Sequence, residues 1–338
     1  MPLPPALLAC PVFSTADARL VGVPPRQLYD AARAGQLVSL GRAWWTPRPA
    51  HHPADRHLLQ TVVETLRREA VSPSHVSGAL VAGLPVVVGN ETPVHVRRHG
   101  AGRSQRRRDV VVHQRLAARL PVQGSTPGRA ADGPLALPDG AFPHGSLGLT
   151  ADDLPRLCVE AACQDPVAGL MACDHALRHD WLGREELRRW GAVLAGQAGI
   201  ATAGVVIDLA DPRRESPGES TMAWVCHGMG YRVEPQVEVR GRRGRYLLDG
   251  ALAGEWVGLE YDGRGKYAAD DGSGEVLWAE KVREDDVRDV GWELVRVTGP
   301  MIGRPERMRQ AIERARGRAR RRHGDRRRPP RAGMPWAA

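Results

Sequence analysis

A chain of 338 residues, 42% hydrophobic and 26% charged, has the length for two or three domains with sizeable cores. No stretch approaches the roughly 18 uncharged apolar residues of a bilayer span, and the start, MPLPPALLACPVFSTADARL, lacks a basic segment ahead of its apolar one, so neither a membrane anchor nor a secretory signal is read. Five cysteines, an odd number, make no disulfide framework and favour a reducing, cytoplasmic setting.

Residues 1–52 have the rhythm of a small helical module. Ser14 and Thr15 are capping residues for a helix that would bury Ala16, Leu20 and Val21. Pro24 and Pro25 suit the entrance of a second helix, with Leu28, Ala31 and Ala32 inward and Gly35 as its end. LVSLGRAWWT then resembles the hairpin that completes a winged helix. On that reading Arg26, Gln27, Tyr29 and Arg33 lie on the helix that would meet a DNA groove or its phosphates; an ordinary protein-contact module is the alternative.

Residues 53–120 read as an α+β region. Helical patterns in ADRHLLQTVVETLRREA and VSPSHVSGALVAGLP precede strand-like runs around a basic loop. Arg97, Arg98, Arg103, Arg106, Arg107 and Arg108 form that positive cluster, facing either phosphates or only solvent. Residues 121–150, rich in Gly and Pro, read as a connection, and 151–204 as an interrupted helical connector. There Cys158, Cys163, Cys173, His175 and His179 lack the paired spacing of a zinc site and read as buried small residues and ordinary histidines.

The stretch 205–318 carries the chemistry. Ser216, Pro217 and Glu219 form a helix start with a carboxylate on its first turn. YRVEPQVEV, GRYLLDG and EWVGLEYDG read as three strands, VLWAEKVREDDVRDVG as a helix, WELVRVT as a strand and PERMRQAIERARGRARRR as a last helix. Glu260 and Asp262, two apart, share a strand face, and pairing brings Asp249 beside Glu260 with Glu219 approaching from the helix. Clustered carboxylates repel unless protonated or bridged by a cation, which makes a hard divalent ion, Mg²⁺ or Mn²⁺, their natural partner. The same residues also fit a cap, a turn and a solvated sheet face. Residues 301–338 hold 13 Arg against three acidic residues, leaving a net charge of −1 on the rest of the chain. From 319 onward few apolar residues are present, and a solvated basic tail is expected, adding at most nonspecific phosphate affinity.

SPGES, LLDG, GLEYDGRGKY and AEKVREDDVRDVGWELVRV together resemble the C-terminal domain of actinobacterial proteins in the very-short-patch-repair-like branch of PD-(D/E)XK nucleases, over roughly 205–300. FSTADARLVGVPPRQLYDAARAGQLVSLGRAWWT and HVSGALVAGLP are similar to the winged-helix region of AbiEi-type antitoxins. The resemblance implies an α/β multidomain protein, with a winged-helix-like front and a restriction-endonuclease-like mixed sheet flanked by helices behind it. It implies Glu219, Asp249 and Glu260 as site carboxylates, with Asp249, Glu260 and Asp262 on the metal. Asp262 stands where many such nucleases carry lysine, so Lys266 or Lys281 would have to substitute, or a second metal. Double-stranded DNA is the implied partner and metal-dependent endonuclease activity the implied reaction. An antitoxin or transcriptional regulator with a non-catalytic nuclease-like domain is the alternative, and an interaction factor beside a toxin or other defence-system partner is a third.

Overall fold

The structure, a computed structural model, describes residues 2–68, 70–116, 147, 149, 153–263, 274–324 and 326–328, with backbone alone for 274–277. The chain divides into two compact units, 1–210 and 211–338. The architecture is mixed α/β, with helices beside antiparallel and parallel strands.

The first unit opens with α1 (Pro5–Ala9), β1 (Phe13–Ser14), α2 (Thr15–Leu20), α3 (Pro25–Arg33), β2 (Val38–Gly41) and β3 (Trp44–Thr46), the strands in the antiparallel order β1-β3-β2. Ser14 and Asp17 cap α2 reciprocally: Ser14 Oγ accepts the Asp17 N–H, and the Asp17 carboxylate accepts the Ser14 N–H at 2.8 Å. Pro25 opens α3, and Gly35, at φ 73°, takes the left-handed conformation after it. Phe13, Ala18, Leu28, Ala31 and Trp45 form the core. The expected inner face of α2 is corrected: Ala16, Leu20 and Val21 are exposed and Ala18 points inward. A helix of six residues presents barely two turns, too few for apolar spacing to fix its phase.

α4 (Pro53–Leu66), β4 (Val71–Pro73), α5 (His75–Val81), β5 (Val94–Arg98), β6 (Gln105–Arg106) and β7 (Val110–His113) follow, with sheet order β4-β5-β7-β6 and β5 parallel to β7. Then come α6 (Leu154–Gln164), α7 (Pro166–Arg178), α8 (Arg184–Val193) and α9 (Ile200–Leu209). α6 is buried along most of its length, and Gly169 of α7 lies so near it that a Cβ would stand 2.2 Å from the Ala162 Cα. The boundary drawn at 204/205 falls inside α9. Of the connection 121–150, all but Leu147 and Leu149 lies outside the described residues.

The second unit runs α10 (Pro217–Gly228), β8 (Val233–Arg240), β9 (Arg245–Leu252), β10 (Val257–Asp262), α11 (Gly274–Asp289), β11 (Glu293–Thr298), α12 (Gly299–Ile302) and α13 (Pro305–His323). The sheet order is β11-β10-β9-β8: β8, β9 and β10 are antiparallel neighbours, and β10 pairs with β11 in parallel across the α11 crossover. Both faces are covered. Met222 of α10 and Met308 and Ile312 of α13 pack with Val233, Leu252 and Leu259 on one side; Val287 of α11 packs with Val237, Val239 and Leu248 on the other.

The expected solvated tail from 319 is corrected as far as residue 328. α13 continues to His323, whose ring stacks on Trp256 at 4.5 Å and whose Nε2 lies 2.8 Å from the Gly291 carbonyl. Arg328 reaches the fully buried Glu234 at 2.6 Å. Arginines thus dock this segment where apolar residues are scarce, since their stems pack while their heads pair. Removing residues 319–338, or replacing Arg328 by Ala, strands the Glu234 charge. Losing one partner of a buried pair costs about 3–5 kcal/mol, and the low end is expected because Arg213 also faces Glu234. A urea midpoint for the second unit unchanged in Arg328→Ala protein would show that the contact carries nothing.

Candidate functional site

The carboxylates of the second unit sit beside a gap in the β8–β9 ladder, whose register is the same on either side of it. Val233 faces α10 and α13, whereas Val237 and Val239, four and six positions on, face α11, so the alternation shifts between them. Gln236 lies at that point with φ 52°, and no ladder pair joins it to Asp249 across from it. Gly258 pairs with Ala251 and Leu259 with Gly250, so one step further along the strands Asp249 stands opposite Glu260, and Glu260 pairs with Arg296 on β11. Gln236, Asp249, Glu260 and Arg296 therefore line up across the four strands.

The hydrogen bonds at this row are specific. Asp249 Oδ2 accepts the Tyr261 N–H at 2.7 Å. Glu219, buried on the first turn of α10, accepts from the Glu215 N–H, Ser216 Oγ and Gln236 Nε2 at 3.1, 2.9 and 3.1 Å. Burial raises the pKa of Glu219, and the nearby Asp249 charge adds to the rise against those three hydrogen bonds. Burial likewise raises Glu260; Arg283 opposes it and Asp249 reinforces it. The Arg283 Nη2 forms an ion pair with Glu260 Oε1 at 2.7 Å. Asp262 lies 3.8 Å from Arg296, which also pairs with Glu280. Lys281 is exposed on α11, and Lys266 lies outside the described residues. Arg283 and Gln236, absent from the sequence reading, are what touch Glu260 and Glu219. Neither carries a local signal: Gln236 is fixed by the pairing of β8 with β9, and Arg283 by the packing of α11 on the sheet.

A Mg²⁺ ion needs one or two carboxylates, with water and phosphate completing its shell. Asp249 and Glu260 meet that donor requirement. Glu219 has its oxygens committed to its own cap and Gln236, while Asp262, the third expected ligand, follows Glu260 on β10 and lies 3.8 Å from Arg296.

The arginines divide by burial. Arg26 and Arg33 are exposed on α3, Arg33 pairing with Asp30 at 3.0 Å, while Gln27 turns half inward and donates to the Pro2 carbonyl at 3.4 Å. Arg103, Arg106, Arg107 and Arg108 are exposed, and Arg98 is half-buried. Arg97 is withdrawn from any phosphate surface: it is 6% exposed, pairs with Glu160 at 2.8 Å and donates to the Gln114 carbonyl. A hollow of about 140 Å³ is lined by Arg42, Arg67, Arg68 and Arg107. Three of these were not singled out in the sequence, because they lie on the β2–β3 turn and the end of α4, far apart along the chain.

Glu160 has no exposure and binds three groups: Arg156 through both oxygens at 3.0 and 2.9 Å, Arg97 at 2.8 Å, and the His75 backbone N–H at 3.1 Å. Burial alone would raise its pKa, but Arg156, His75 and Arg97 hold it at about 2. His75, in turn, has φ 53°, a left-handed backbone uncommon for a side chain of its size. Beside it lie His95 and His113, and ligand-capable atoms of the three fall within 4.8 Å of one another. Among the described residues this is the one group of three such side chains, and it can coordinate a divalent metal ion; its all-imidazole composition is not that of a Mg²⁺ site. Burial lowers all three imidazoles, His95 to about 3, His113 to about 4 and His75 well below its ordinary value. No helix among the described residues is long and apolar enough to cross a membrane.

Compared with protein-family models, curated proteins and solved structures, the chain matches none.

Proposed function

We propose that the chain is a DNA-associated protein with a winged-helix-like duplex-binding module at its start and a PD-(D/E)XK-like second unit that hydrolyses phosphodiester bonds with a divalent ion. The observation that carries this reading is the placement of Asp249 beside Glu260 at a strand irregularity, within the element order α-β-β-β-α-β. The β2–β3 hairpin that follows the exposed Arg26/Arg33 helix, with β1 paired at the edge of β3, supports the DNA-binding front.

Asp249 and Glu260 would hold Mg²⁺ or Mn²⁺, which when bound supplies Lewis-acid polarisation of phosphate and a more acidic water. Glu219 fixes Gln236 at the site's edge and serves as a positioning residue. Arg283 and Arg296, in place of the lysine this motif usually carries, offset phosphoryl charge once Arg283 leaves Glu260. Asp249→Asn and Glu260→Gln are expected to lose Mg²⁺- or Mn²⁺-dependent cleavage of supercoiled, duplex or single-stranded DNA by on the order of 10²-fold or more, with the fold retained. Cleavage that survives in both folded variants would remove these carboxylates from the chemistry.

One contact favours a second reading. Arg283 on Glu260 at 2.7 Å already balances the charge a metal would balance. A regulator of the antitoxin type, with a toxin or defence-system partner, needs no more than that. It predicts salt-dependent, sequence-selective duplex binding without cleavage in either metal.

A further inference from the structure

We infer that His75, His95 and His113 bind one borderline divalent transition-metal ion of the Zn²⁺ class, at a site separate from the carboxylates of the second unit. His75 begins α5, His95 lies on the central strand β5 and His113 ends β7, so the three arrive from different elements onto one point. The ring of His75 stacks on that of His113 at 3.8 Å between centroids, and His95 lies 5.2 and 5.1 Å from them. A tetrahedral zinc ion with Zn–N of about 2.0–2.1 Å spaces its ligand nitrogens ~3.3 Å apart. The ligand-capable atoms of the three lie within 4.8 Å of one another, so each nitrogen has at most about 1.5 Å to close.

Two features set this cluster apart from a chance meeting of histidines. His95 Nδ1 lies 2.9 Å from His113 Nε2, close to the spacing of two nitrogens on one ion, and His95 Nε2 is buried with no hydrogen-bond partner among the described residues. His75 is held from behind: its Nδ1 lies 3.1 Å from Ser74 Oγ and 3.8 Å from Glu160 Oε2, and its N–H is bound by the same carboxylate. Carboxylate and hydroxyl partners behind a ligand imidazole are the outer shell that metal sites use to orient a ring. Three imidazoles suit Zn²⁺, Co²⁺, Ni²⁺ or Cu²⁺ and not the oxygen-seeking Mg²⁺. Three protein ligands would also leave a fourth position for water, and His113 is half-exposed. His95 and His113 flank the basic segment 99–109, so the bound ion ties together the strands at its two ends.

Full-length protein, stripped with a chelator, is titrated with Zn²⁺ by calorimetry and with Co²⁺ by visible absorption, beside His95→Gln, His113→Gln and Asp249→Asn proteins. One equivalent of Zn²⁺ is expected to bind, with the intense visible bands of four-coordinate Co²⁺. Each histidine variant is expected to weaken Zn²⁺ by more than the ~10–100-fold typical of losing an outer-shell partner, while Asp249→Asn leaves it unchanged. His113, at the end of β7 and half-exposed, is the variant that tests the site should His95→Gln unfold. Absence of Zn²⁺ binding in the original protein, or binding equally tight in folded His113→Gln protein, overturns the assignment. Neither result bears on Mg²⁺-dependent cleavage, which Asp249→Asn tests separately.

Discussion

Glu160→Ala protein is expected to lose about 3–5 kcal/mol of stability in its first unit, the cost of breaking a buried ion pair from one side. Glu160 is fully buried, and Arg156 and Arg97 are 5% and 6% exposed, so two guanidinium groups would face an apolar interior with their shared anion gone. The two would not suffer equally. Arg156 keeps Asp153, which accepts from its Nε and Nη2 at 3.2 and 2.9 Å. Among the described residues Arg97 keeps the Gln114 carbonyl and no carboxylate. The His75 N–H also loses its acceptor, and with it the support for a left-handed backbone. Hydrogen exchange along α5 and α6, with urea unfolding, reads this unit apart from the second. A further Arg97→Met change in the Glu160→Ala background is expected to restore part of the loss, because it removes the stranded cation. A first-unit stability within about 0.5 kcal/mol of the original, ordinary for surface substitutions, would mean that the network is not buried in solution.

Acid is expected to destabilise the metal-free first unit well before ordinary carboxylates titrate. His57, 2% exposed and bonded to Ser77 Oγ at 2.8 Å, is lowered by burial from 6.5 to about 4, and His95 to about 3. Below pH 6.5 the unfolded chain binds a proton at each of these rings while the folded one does not. Stability is therefore full above about 6.5 and falls as pH drops toward the folded values, by about 1.4 kcal/mol per pH unit for each ring. Glu160, held at about 2 against an ordinary 4.5, acts in the same direction lower down. Its contribution is present above 4.5 and is lost as pH falls toward 2. Urea midpoints at pH 7.5, 6.5, 5.5 and 4.5 in the presence of a chelator measure the slope, and His57→Gln is expected to flatten it by one ring's share. A stability constant from pH 7 to pH 5 would show that these rings titrate as exposed histidines do.

Local sequence determined the elements that depend only on neighbours in the chain. The Ser216–Glu219 start of α10, Pro25 at the start of α3 and three strands over 233–262 follow from capping, ring geometry and period-two alternation, and all appear where those rules put them. The nearness of Asp249 to Glu260 was legible for the same reason, since the two strands are separated by one short turn. Other features needed the tertiary structure. Arg97 looks like its neighbours in a basic run, but strand alternation on a central strand turns it inward to Glu160, and no local pattern tells a central strand from an edge one. Arg328 looks solvated until the Glu234 it neutralises, 94 residues earlier, is placed beneath it. His75, His95 and His113 carry no metal-ligand spacing, because their convergence depends on β5 pairing in parallel with β7 and on α5 packing beside them. Capping and alternation act between residues a few positions apart, whereas a buried ion pair or a cluster of imidazoles is defined by distances that only the closed sheet and its packed helices create.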